Sequence, residues 1–235
     1  MNAGVVLGAS TQARRPSLPV TEGLAQLLPE RGLVRGHTVT CVGGAAVSMA
    51  LALVAAATQA GSWLALVDVP WVAPEAADEM GVALERLVSI RVDSGNTAQW
   101  AERVAAAADG CELIITRMPP RLPDRLLRQV RQRIQAAGGV LIDVGDPAGA
   151  VLGATNPGQR SMSELVVSTG SEIWEGLDRG SGYLRCRRLS VVVAGRRVPR
   201  ARRAAGWLPG PSGGFELIDS IDVGRSATSE LGRPG

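Results

Sequence analysis

The chain has 235 residues, of which 46% are hydrophobic and 20% charged, with a net charge of +3. That length and balance suit one globular domain with tails, and exclude a collagen, a disulfide-rich mini-protein and a wholly disordered chain. All 25 basic residues are arginine and the only histidine is His37, so lysine Schiff-base chemistry and a multi-histidine metal site are excluded, and the composition leans against an enzyme that draws its base from His or Lys.

Residues 1–16 read as a flexible N-terminus without the basic-then-apolar order of a signal peptide. Residues 18–33 give a short helical pattern with Leu24, Leu27 and Leu28 on one side. His37 to Val42 is β-branched and reads as a strand, and Met49 to Gln59 as a buried helix. Thr38 to Val67 carries no charge and is long enough to span a membrane. Gly43-Gly44 and Gly61-Ser62 break it, so strand, glycine turn, helix, strand is the better reading. Ser62 to Val67 is the second strand and Pro74 opens an acidic helix. A third strand follows at 87–92. A helix over 97–109 has Asn96 or Thr97 as its cap and Gly110 as its end. Residues 111–116 are a fourth strand. Leu122, Leu126, Val130 and Ile134 then mark the apolar stripe of an arginine-rich helix whose arginines form a solvated face, and 140–144 is a fifth strand.

Alternating helices and continuous apolar strands predict an α/β fold with a mainly parallel twisted sheet covered on both faces. Beyond Gly145 the pattern changes. Residues 145–163 read as a long loop, then short antiparallel strands follow with turns at Gly180, Gly182 and Gly195. Residues 209–235, rich in Gly, Pro and Ser, read as a disordered tail holding an apolar-acidic island with Phe215, Leu217 and Ile218, suited to docking on a partner. The domain boundaries are therefore 1–16, a core over 17–208 and a tail over 209–235, with 179–203 a basic strand module.

That module holds nine arginines and no acid. The rest of the chain has 25 minus 9, or 16, arginines against 22 acids, a balance of −6. Arg185, Arg187, Arg188, Arg196, Arg197, Arg200, Arg202 and Arg203, with Trp207, are the candidate binding residues, for phosphates or for an acidic protein partner. Strand alternation puts Arg185 and Arg187 on one face and Cys186 on the other. The single arginine of the 145–163 loop, Arg160, argues against strong DNA binding there. Cys41, Cys111 and Cys186 lack metal spacing and read as reduced thiols.

The turn after the first strand, VGGAAVSM, stands where a phosphate loop would be, yet it has only Gly43, Gly44 and Ser48 to offer, without a second spaced glycine or a lysine. Asp143 and Asp146 end the fifth strand without an evident third metal ligand, and nothing local completes a Ser/His/Asp set around His37. No cofactor and no metal are expected.

The order of segments resembles the RecA-type recombinase core over about residues 20–200. LAQLLPERGLVRGHTVTCVGG resembles the segment leading into the phosphate loop. LALVDVPWVAPEAADEMGVALERLVSI resembles the next strand-helix-strand unit, and ELIITR falls where the magnesium-site strand would be. The resemblance also exposes departures. The phosphate-loop lysine is absent, Pro70 takes the place of the glutamate that polarises water, and Thr116-Arg117 replaces the strand-end aspartate. Phosphoryl transfer needs all three elements, so the resemblance implies a pseudo-ATPase.

LLPxxGLxRG, GSW, EIWEGLDRGSGYLRCRR and GWLPGP together are similar to the actinobacterial ImuA-type (ImuA-prime) mutasome accessory proteins. That resemblance implies a cytoplasmic adaptor, nucleoid-associated on DNA damage, that serves translesion synthesis. It implies partners in an ImuB-type inactive relative of Y-family polymerases, an error-prone C-family polymerase and RecA, with weak DNA binding and no membrane. Two other readings stay open: a RecA-derived cell-division checkpoint inhibitor, and a nucleotide-binding switch without hydrolysis.

Overall fold

The computed structural model describes residues 17–93, 95–145, 163–178, 181–218 and 222–223. A small hairpin of β1 (Ser17–Leu18) and β2 (Leu33–Val34) brackets helix α1 (Glu22–Leu27). Then come β3 (Thr38–Val42), α2 (Ala46–Gln59), β4 (Leu64–Val67), α3 (Pro74–Glu79) and β5 (Leu87–Ile90). α4 (Thr97–Gly110), β6 (Leu113–Thr116), α5 (Asp124–Ala137) and β7 (Val140–Val144) complete the alternating part. The end of the described chain is all strand: β8 (Leu165–Asp178), β9 (Ser181–Ala194), β10 (Arg202–Trp207), β11 (Glu216–Leu217) and β12 (Asp222–Val223).

One sheet runs in the order β11-β10-β9-β8-β3-β7-β6-β4-β5, with β12 also on β10. From β8 to β5 every pairing is parallel, and from β8 to β11 every pairing is antiparallel. The two-residue period of a strand explains how both faces are buried. Leu64 and Leu66 join Leu113, Ile115, Val140 and Ile142 in the core under α2, while Ala65, Val67, Ile114 and Leu141 pack with Trp100, Val104, Val130 and Ile134 of α4 and α5. The alternating apolar strands thus form the mainly parallel α/β sheet that the sequence predicts. The charge-free stretch from Thr38 to Val67 resolves into β3, the 14-residue α2 and β4. No helix among the described residues is long and apolar enough to cross a membrane.

Local signals act as the sequence implies. The Asn96 side chain accepts the Gln99 N–H at 3.0 Å and caps α4. Pro74 stands in the first turn of α3, and Gly138 ends α5 in the left-handed region at φ +69. The α5 stripe is confirmed by the burial of Val130 and Ile134. Its arginines are not all free, since Arg133 pairs with Asp109 and Arg131 reaches Glu164 at 2.7 Å.

Three expectations change. The short C-terminal strands are two long ones: 165–178 is one strand, irregular between Gly170 and Ile173 and between Glu175 and Leu177, and Gly182 lies inside β9 rather than in a turn. β8 also pairs parallel with β3, which ties the antiparallel layer into the core sheet. The third change concerns the tail, because folded chain continues past Pro209. Phe215 is buried in the main core, β11 pairs with β10, and the Ile218 N–H bonds the Ala205 carbonyl at 3.0 Å. Residues 1–16, residues 146–162 of the expected loop with Asp146 and Arg160, the expected turn at Gly180, and residues 224–235 lie outside the described residues.

Candidate functional site

In an open α/β sheet, ligands bind at the carboxyl ends of the parallel strands. The residues there are Gly43-Gly44 after β3, Asp68 after β4, Arg117 after β6, Gly145 after β7, and Ser168 to Glu172 of β8. Two cavities adjoin this rim. One of about 80 Å³ is lined by Gly43, Gly44, Trp71, Arg117 and Gly145. One of about 210 Å³ is lined by Asp68, Trp71, Asp93, Asn96, Trp100 and Arg117. Both are smaller than the ~300–1,000 Å³ of typical small-molecule sites.

The glycine turn is packed by the chain's own β8. Gly43 has φ +108, and a side chain there would run into Thr169. The Thr169 hydroxyl donates to the Val42 carbonyl at 3.2 Å and accepts the Ala45 N–H at 3.2 Å. At Gly44 a Cβ would sit 2.5 Å from Glu172 Oε1. Behind that carboxylate lies Arg187, which donates to Glu172 Oε2 at 3.2 Å, to the Ser48 hydroxyl at 3.1 Å and to the Leu208 carbonyl at 2.8 Å. Its guanidinium also lies 4.8 Å from the ring centroid of Trp174. Burial lowers the Arg187 pKa and Glu172 opposes that shift. The residues set out by the sequence as a remnant phosphate loop, Gly43, Gly44 and Ser48, are thus together in space: β8 packs on the buried Gly43 and β9 reaches Ser48 through Arg187, while Gly44 stays exposed.

At the end of β6, Arg117 stacks over Trp71 with 5.8 Å to the ring centroid. Beneath it Asp143 of β7 is fully buried, and its Oδ1 accepts the Met118 N–H at 2.9 Å. Burial raises the Asp143 carboxyl to about 6, opposed by the Met118 hydrogen bond and then by the Arg117 charge. Its Oδ2 has no hydrogen-bond partner among the described residues. After β4, Asp68 has φ +57 and burial raises its carboxyl. Among the described residues no group of three His, Cys, Asp or Glu side chains is placed to hold a metal ion. Cys41 is buried, Cys111 and Cys186 are half-buried, and all three thiols are free.

The candidate binding residues do not form one surface. Arg185, Arg188, Arg196, Arg197, Arg200 and Arg203 are exposed, and Trp207 is half-buried. Arg187 is only 6% exposed and committed to internal partners. Arg202 donates to the carbonyls of Gln26, Leu27 and Leu28 at the end of α1. Phe215 is buried against Gly23 and Gly206, and Leu217 and Ile218 are half-buried beside it. These corrections have one cause: the sheet extends to β11, so side chains on its α1–α2 face are core.

Sequence reasoning missed Thr169, Glu172 and Asp143 as structural partners of the strand ends. The signal for Arg187 was present, since it shares a strand face with Leu189, Val191 and Val193.

Residues 26–149 match the family model described as MT3502 N-terminal domain. None of the curated proteins compared matches the chain. Among solved structures, the chain is similar to one titled "Crystal structure of the RadB recombinase", at TM-score 0.59 and 15% identity, covering 84% of this chain and 97% of that one. The fold is therefore RecA-like, with a mostly parallel core and C-terminal antiparallel strands.

Proposed function

This chain belongs to the MT3502 N-terminal domain family, and we propose that it is a non-catalytic RecA-like adaptor of a damage-induced translesion synthesis complex. In this reading it acts through protein contacts with an ImuB-type inactive Y-family polymerase relative. Through that partner it reaches an error-prone C-family polymerase, and it has RecA and weak DNA binding as further contacts. It works in the cytoplasm and gathers at the nucleoid on damage.

The observation that carries the reading is the chemistry of the strand ends. Hydrolysis of a nucleoside triphosphate needs a cation ligand, a lysine and a positioned water. The chain has no lysine, Arg117 stands at the end of β6, and Thr169 and Glu172 pack the glycine turn. A scaffold kept without that machinery is suited to binding partners. The resemblance of LLPxxGLxRG, EIWEGLDRGSGYLRCRR and GWLPGP to ImuA-type proteins is what supports this choice of partners.

The test is affinity capture of the tagged chain from its own host, with and without DNA damage, read by mass spectrometry. Recovery of the Y-family relative is the expected result. Recovery of division proteins alone, or of nothing above background, contradicts the adaptor.

A further inference from the structure

We propose that the face of β8, β9 and β10 turned away from α1 and α2 is the docking surface for an acidic amphipathic helix of a protein partner. The inference deepens the adaptor reading, and it rests on that reading for the partner being a protein.

The two faces of the sheet are covered unequally. Strand register carries the α4–α5 face from Leu141 of β7 through Thr40 of β3 and Val166 of β8 to Val192 of β9 and Ala205 of β10. The buried apolar cluster under those helices draws on β4, β6 and β7, and no described residue of β8, β9 or β10 belongs to it. The opposite face of the same three strands is core, where Val167, Val191 and Val193 pack with α1 and α2. An antiparallel sheet can leave one face to water, and its outward residues are then polar. Here most of them are not. Val166, Val192, Ala205 and Trp207 are half-buried, and Ile173 and Leu184, further along the hairpin, are 60% and 47% exposed. A contiguous apolar patch of this kind marks an interaction surface.

Register also gives the face a shape. Gly170, Ser190 and Ala205 stand side by side across the three strands, a row of small residues. To one side is the row of Ile173, Arg188 and Trp207, and to the other that of Ser168, Val192 and Arg203. A low centre between taller residues suits the apolar stripe of a helix, the layer that packs on each face of an α/β sheet. Arg188 and Arg203 are exposed, one in each flanking row, so the complementary helix carries Asp or Glu beside its stripe. The acids nearest in register, Glu175 and Asp222, stand outside the three rows. The same arginines disfavour a second copy of this chain, because a two-fold interface sets a patch against its like. Single-stranded nucleic acid stacks its bases on exposed aromatics. Trp207 is the one aromatic in these rows and is half-buried, while Trp174 stacks on Arg187.

Photocrosslinking from within the face tests this. The full chain carries p-benzoylphenylalanine at Ile173 or at Ala205, or at the exposed Glu102 of α4 as a control, and is illuminated in its own host after DNA damage. The joined peptides are then sequenced. Both face positions, and not the control, are expected to give one protein segment with apolar residues three and four apart and Asp or Glu beside them. Arg188→Glu together with Arg203→Glu is expected to lower that yield about tenfold or more, with thermal unfolding showing that the chain still folds. If one of the two face-labelled chains does not fold, the other carries the test. A joined nucleic acid, a joined second copy, a link only to the chain's own residues 146–162, no adduct, or an unchanged yield in the folded double variant would overturn the proposal. Failure here is distinguishable from failure of the adaptor. Where affinity capture recovers the Y-family relative and the face yields no adduct, the adaptor stands without this surface. An acidic helix joined here from a protein outside the translesion complex keeps the surface and removes the adaptor.

Discussion

Arg187 and Arg188 are neighbours in sequence with opposite fates. Strand alternation sends Arg187 into the face shared with Leu189 and Val191, where it serves Glu172, Ser48 and Leu208. Arg188 points to the other face and is exposed. Arg187→Ala is therefore expected to cost about 2–3 kcal/mol in urea unfolding, and Arg188→Ala under about 0.5 kcal/mol. Equal effects would contradict the assignment of faces. Asp143 gives a pH signature. Its folded-state carboxyl titrates at about 6 against an ordinary value of 3.8. Between those values the unfolded chain has lost the proton and the folded chain keeps it, so stability falls as pH rises. The slope ends above pH 6, after a loss on the order of 3 kcal/mol. Asp143→Asn is expected to flatten the stability curve from pH 4 to 6, measured by denaturant unfolding. A curve as steep as the wild type would show that another group is responsible.

At the scale of elements, the alternating half of the chain was legible because its signals are local. Pro74, Asn96 and Gly138 act within one turn, and the apolar runs of β4, β6 and β7 need no partner information to read as strands. The strand half was less legible. Length and register there depend on partners distant in sequence, such as Val39 with Leu165 and Thr40 with Val166. The packed glycine turn was half legible for the same reason. Gly43, Gly44 and the missing lysine could be read directly, but the Glu172 contact depends on a bulge that composition does not reveal. Glycine and proline around 209–214 read as disorder, yet here they form a turn: the Gly213 N–H bonds the Gly210 carbonyl at 3.0 Å and brings Phe215 into the core. Phe215→Ala is expected to destabilise the chain by about 3 kcal/mol, and truncation after Leu208 by at least as much, read from thermal or urea unfolding. A neutral truncation at that point would mean that β11 is dispensable to the core.

Over the whole molecule, the groups at the strand ends of a RecA-like sheet make contacts within the chain. Arg117 stacks on Trp71, Asp143 holds Met118, and Glu172 with Arg187 packs the glycine turn. Charge divides along the same lines, with nine arginines within 179–203 and a balance of −6 elsewhere. Arg187 and Arg202 of that group are spent inside the fold, and Arg185, Arg188, Arg196, Arg197, Arg200 and Arg203 are exposed. The most direct test of the adaptor account is a binding titration of the purified chain against a purified ImuB-type Y-family relative, with and without ATP and magnesium, with phosphate release followed in the same samples. The account predicts a complex of equal affinity in both conditions and no phosphate release. Absence of a complex, a complex that forms only with ATP, or steady release of phosphate would contradict it.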